Sequence, residues 1–313
     1  MSAAVVAVIA GGIRHVTSLP HRGQCSSPAS SPALSVVSSP VLPRARRCGG
    51  RGRRCGRARR VRGTGGGRGG RRLAGVIDIR RADTRYRGGD RQAGIDTRHA
   101  FSFSGHYDPD NTGFGLLTAV NDERLEPGAG FGEHRHRDTE IVTWMVEGAL
   151  EHRDSTGAAG TLRPGQVQST GSGAGILHTE RNAHTGPTRF LQMWLHPDRH
   201  GGPPRHDRAD VTLPQDGGLV PVASGRGHAG AVALRQADAV LHAARLGEGG
   251  TAALPRAPFV YVHVVRGALR LGEEPLGEGD SARITGCRDL EVAGAEGGGE
   301  ALVWEMHAEP SYG

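Results

Sequence analysis

The sequence has no lysine: all 39 basic residues in its 313 are arginine, so the arginine richness reflects a GC-rich coding sequence rather than a function for arginine. Aromatic residues make up only 4%. Cysteine is scarce, with four in all. Cys25, Cys48 and Cys55 crowd into the first 75 residues and Cys287 stands alone, which excludes a disulfide framework and fits a reducing, cytoplasmic setting. No apolar run is long enough to cross a bilayer as a helix, which excludes that kind of membrane protein. Acidic residues are absent from 1–75, which hold 15 Arg, while 76–313 hold 24 Arg against 32 Asp and Glu, a net charge of −8. The overall +7 is therefore misleading, and an acidic body argues against nucleic acid bound along its phosphates by the folded part.

What remains is two unlike stretches. Residues 1–75 are rich in Arg, Gly and Ser and hold too few apolar residues to build a core, so they are expected to be a disordered extension. An Arg/Gly-rich RNA-binding tail, a targeting peptide that would make the protein organellar, and upstream DNA translated in error all fit this composition. The last is favoured, because "VIDIRRADTRYRGG" from Val76 reads as a natural beginning. From there on, short alternating segments are broken by Gly, Pro and Asp. "EIVTWMVEGALEHRD" places Ile141, Thr143 and Met145 on one strand face and Val142, Trp144 and Val146 on the other. No helical period persists, which predicts an all-β protein with only short helical pieces, such as Asp238 to Arg245. "VEGALEHRDSTGAAGTLRPGQV" is echoed by "VRGALRLGEEPLGEGDSARI", pairing Gly148 with Gly267 and Gly165 with Gly279. The echo predicts tandem barrels, at 76–200 and 201–313.

Two polar clusters carry the chemistry. His134 and His136 are one residue apart and share a strand face, as do His178 and Glu180 in "GILHTERN". An isolated H-x-H pair is commonly wet surface, and His200, His206 and His228 fall in loop-like stretches without a partner. Two such pairs on neighbouring barrel strands can instead converge on one ion. Three imidazoles and one carboxylate leave open positions on a six-coordinate metal, which a redox Fe(II) site needs for substrate and O₂. The second copy lacks the paired histidines, with only His263 nearby, so it is expected to hold no metal ligands.

The stretch 131–182 resembles the pirin family of the cupin superfamily. The resemblance is carried by Gly130-Phe131, His134, His136-Arg137, Glu140, Val142-Thr143, Glu147-Gly148, His152, Asp154-Ser155, Gln168, Gly175-Ile176, His178 and Glu180, and it extends across 76–313. It implies two cupin (jelly-roll) barrels, the first holding Fe²⁺ or another divalent transition metal on His134, His136, His178 and Glu180. It also implies a quercetin 2,3-dioxygenase-like oxidoreductase acting on a flavonol and O₂, with Glu180 as the catalytic base. The alternative is a non-catalytic metal protein that regulates a protein partner. Glu140, at the glutamate position of the general cupin motif, is expected to sit behind the ligands or be a buried polar group, and His152 and Asp154 likewise to be turn or supporting residues. Arg135 and Ser169-Thr170 depart from the family pattern without removing a ligand. Phe131, Trp144 and Met145 are candidates for cavity wall or core.

Overall fold

The structure is a computed structural model describing residues 60–62, 75–214 and 217–310; the expected extension over 1–75 lies almost wholly outside the described residues. Strands dominate, as the period-2 alternation requires. Both barrels fall within one compact unit, Ala58–Gly313.

The first barrel joins a seven-stranded and a four-stranded sheet. In the larger, Arg205–Asp210, Gln166–Gly171, Glu140–Glu147, Thr188–Leu195, Leu117–Leu125, Ile95–His99 and Tyr86–Gly88 lie side by side in that order. The smaller runs Gly130–His136, Ile176–Asn182, Leu150–Asp154 and Ala159–Leu162. Alternation along Glu140–Glu147 sorts its side chains into two cores. Met145 packs between the two sheets with Leu125, Leu150, Leu162 and Phe190. Val142, Trp144 and Val146 point the other way, into a core shared with Leu241, Tyr261, Val265, Leu302 and Trp304 of the second barrel. Trp144 is thus a wall between barrels, its indole N–H donating to Glu300 at 2.9 Å. Burying side chains of this size stabilises the layer by about 1.5–3 kcal/mol each.

The second barrel is built on a ten-stranded sheet and filled by aliphatic side chains, among them Val262, Val264, Leu269, Ile284 and Val303. His263 is buried on the opposite face of its strand from Val262 and Val264, with Nδ1 2.8 Å from the Arg85 guanidinium. The sequence echo has a backbone counterpart. Gly148 and Gly267 both adopt positive φ (80° and 68°), and a Cβ at either would lie 2.3 Å from a neighbouring oxygen, so the turn demands glycine twice.

Two expectations need correction. Asp238 to Arg245 is not helical: Ala239–Leu246 is an interior strand, paired with Gly299–Met306 on one side and Val220–Ser224 on the other. Two-sided ladder pairing and the burial of every residue but Arg245 outweigh the helix preference of its alanines. The only helical piece among the described residues is a 3₁₀ turn at Ala82–Thr84. Strands also cross the division drawn at 200/201. Val76–Arg80 pairs with Ser281–Thr285 in the second barrel's sheet, while Arg205–Asp210 edges the first barrel.

Candidate metal centre

Three neighbouring strands of the four-stranded sheet each present an i, i+2 pair of ligand-type side chains. The antiparallel register sets His134 opposite His178 and His178 opposite Asp154, with Glu180 opposite His152. Ligand-capable atoms of His134, His136 and His178 all lie within 4.8 Å of one another, and so do those of His152, His178 and Glu180, so His178 belongs to both groups. His134 Nδ1 lies 2.7 Å from the Gly132 carbonyl and must donate to it, which leaves Nε2 as the bare acceptor. That Nε2 meets His178 Nε2 at 2.9 Å. His136 Nε2 and Glu180 Oε1 are buried with no hydrogen-bond partner, an expensive arrangement that a cation would relieve. Donor chemistry and orphaned atoms therefore both fit a divalent metal.

The electrostatics agree. Burial, reinforced by the neighbouring His134, lowers the His136 pKa to about 4. Burial also lowers that of His178 to about 2, helped by His134, His136 and His152. Both rings are neutral at physiological pH, the form that binds metal. Burial pushes Glu180 upward against the opposing hydrogen bond from Gln192, so its carboxylate lacks the positive charge that a bound cation brings.

Residues not singled out from sequence complete the site. Gln192 Nε2 donates to Glu180 Oε2 at 2.8 Å, and Trp194 Nε1 donates to Gln192 Oε1 at 3.2 Å. The Trp194 ring stands edge-on to His136 at 4.9 Å and to Phe103 at 5.0 Å, and Phe131 lies 6.3 Å from His134. Alternation in "TRFLQMWLHP" puts Gln192 and Trp194 on one face, the one signal that could have found them. Glu140 is buried away from the imidazole cluster, accepting from the Arg235 backbone N–H at 3.0 Å and from Arg205 at 3.3 Å. His152 bonds Asp154 through Nε2 at 3.1 Å. Arg135 is exposed, whereas Ser169 and Thr170 are buried. His206 and His228 are not partnerless: His206 is on a strand and stacks on His152 at 4.3 Å, and His228 Nδ1 meets Ser224 Oγ at 2.7 Å.

A barrel lined with imidazoles and a buried carboxylate, followed by an apolar barrel of the same kind, defines a bicupin. Comparison with known proteins makes this specific. The Pirin model matches residues 80–195, and the model for the quercetinase C-terminal cupin domain matches 221–306. A Mycobacterium tuberculosis protein named "Putative quercetin 2,3-dioxygenase" is 43% identical over 241 residues, covering 76% of this chain and 98% of its own. "Quercetin 2,3-dioxygenase" of Escherichia coli K12 is 38% identical over 134 residues, 42% of this chain and 57% of its own. The crystal structure of the bacterial pirin YhhW from Escherichia coli, in complex with nickel(II), matches with a TM-score of 0.68 at 27% identity, over 75% of this chain and 100% of that one. The chain belongs to the pirin family, within its quercetin 2,3-dioxygenase-like branch of tandem cupins.

Proposed function

We propose that the protein is a cytoplasmic Fe²⁺-dependent dioxygenase that opens the central ring of flavonols, with His134, His136, His178 and Glu180 as the metal ligands. The observation that carries this is the pair of buried, unpartnered ligand atoms, His136 Nε2 and Glu180 Oε1, beside two more imidazoles. Iron bound there would supply Lewis acidity toward a flavonol's 3-hydroxyl and adjacent carbonyl and a redox route to O₂.

The chain's own residues have separable tasks. Glu180 would exchange Oε1 between the ion and the 3-hydroxyl proton, while Gln192 holds Oε2 in place. Phe103, Trp194 and Phe131 offer aromatic faces to orient a planar substrate and exclude water. Both oxygen atoms of O₂ enter the product and one ring carbon leaves as carbon monoxide, so no other oxidant is required.

The test is oxygen uptake with matched carbon monoxide release by the full-length, iron-loaded chain given quercetin. Glu180→Gln should lower kcat by about 10²-fold or more. No carbon monoxide above the metal-free control would refute the assignment.

A further inference from the structure

The first barrel holds more metal-ligating side chains than one ion can use. Six line three adjacent strands: His134 and His136, His178 and Glu180, His152 and Asp154. A seventh, His206, comes from the edge strand Arg205–Asp210 of the opposite sheet and stacks on His152 with rings 21° apart. Taking four for the ion described above leaves His152, Asp154 and His206, whose ligand-capable atoms all lie within 4.8 Å of one another.

We propose that His152, Asp154 and His206 form a second divalent transition-metal site, at the seam between the two sheets of the first barrel. Asp154 is set for this before any ion arrives. Its Oδ1 accepts from Thr156 N at 2.8 Å, Thr156 Oγ1 at 2.6 Å and Ala158 N at 3.3 Å, which fixes the carboxylate and turns Oδ2 to His152. Oδ2 and His152 Nε2 are 3.1 Å apart, the separation of two neighbouring donors each about 2.1 Å from one ion. The ion replaces the proton these two atoms share, and His206 supplies the third donor from across the seam. His206 is held only loosely otherwise, Nδ1 lying 3.4 Å from Thr170 Oγ1. The His152 and Asp154 side chains are 1% and 0% exposed, whereas His206 is half-buried, so an ion enters past His206. Two imidazoles and one carboxylate suit Co²⁺, Ni²⁺, Zn²⁺ or Cu²⁺ and discriminate against Mg²⁺ and Ca²⁺.

The experiment compares bound Co²⁺ per chain, by elemental analysis after chelator stripping, reloading and desalting, in four full-length proteins: wild type, His206→Ala, His136→Ala and the double variant. The expected result is one Co²⁺ fewer in His206→Ala than in wild type, and two fewer in the double variant. His206→Gln, which keeps the bulk of the edge-strand side chain, should lose the same single ion, and its metal-stripped form should melt like metal-stripped wild type. No loss in either His206 variant overturns the site. One ion lost in each single variant and only one in the double also overturns it, by showing a single shared ion. An ion lost in His206→Ala with none lost in His136→Ala supports the seam site and refutes the ligand set proposed above.

Discussion

Replacing Glu123 with glutamine should stabilise the metal-free protein, by an amount that grows with pH. Glu123 is 4% exposed on the inward face of Leu117–Leu125 and accepts a 2.5 Å hydrogen bond from Thr97 Oγ1. Burial raises its pKa to about 8, against the help of Thr97 and with added repulsion from Glu180, Asp122 and Asp96. In the unfolded chain the same carboxyl titrates at about 4.3. Between those values the folded state carries one proton more, so stability falls by about 1.4 kcal/mol for each unit that pH rises. The amide has no proton to lose, and Glu123→Gln removes this slope. Relative to wild type it should gain about 1 kcal/mol at pH 5 and about 3.6 kcal/mol at pH 7, levelling off above pH 8. Any cost of seating the amide N–H₂ is constant with pH, so the slope is diagnostic. The assay is urea unfolding of both chelator-treated proteins at four pH values from 5 to 8. A difference that stays flat across that range would refute the argument, because Glu123 would then be ionised in the folded barrel.

Three further outcomes are expected. Gln192→Leu should weaken metal binding about 10–100-fold in competition with a chelator, by freeing Glu180 Oε2, while leaving the circular dichroism spectrum unchanged. Gly148→Ala should cost about 2–4 kcal/mol, from the positive φ and a Cβ 2.3 Å from Thr188 Oγ1; Gly157→Ala, at φ 93° but facing open space, should cost about 1–2 kcal/mol, and equal melting-temperature losses would refute the steric part. The hydrogen bond to His242 is the main cause holding the Glu305 pKa down at about 2, with His307 adding a second bond. A depressed carboxylate stabilises the fold above the unfolded pKa and loses that contribution as pH falls through the folded one. Glu305→Gln should therefore cost about 1–2 kcal/mol at pH 7 after allowing for solvent screening, with the gap closing between pH 5 and pH 2 in urea titrations.

The sequence carried the local geometry of this protein well. Period-2 alternation in Ile141–Val146 is enough to predict a strand with two apolar faces, and one-residue spacing is enough to put His134 beside His136 and His178 beside Glu180. Partners distant in sequence were not legible. Trp144 donates to Glu300 over a separation of 156 positions, and nothing near either residue announces the other. Alternation in its strand places Gln192 beside Trp194, but that it holds Glu180 depends on a strand of the other sheet. His206 read as loop because Gly201, Gly202, Pro203 and Pro204 precede it, yet the chain resumes a strand immediately afterwards. Asp238 to Arg245 failed for a related reason: its composition suits a helix, but an interior position in a sheet is decided by neighbours on both sides.

The exchanged strand Val76–Arg80 has a consequence for how the molecule is made. Asp78 pairs with Arg283, 205 positions later, so the segment leaves the ribosome long before its partner exists. Until then its backbone groups form an open edge, the kind of surface on which nascent chains stick to one another. The first barrel can close early, but the joint between the barrels is sealed only by nearly the last strands synthesised. Such long-range pairing makes the final step slow, and it ties the mature halves together through backbone hydrogen bonds as well as through the two stretches of chain that cross between them.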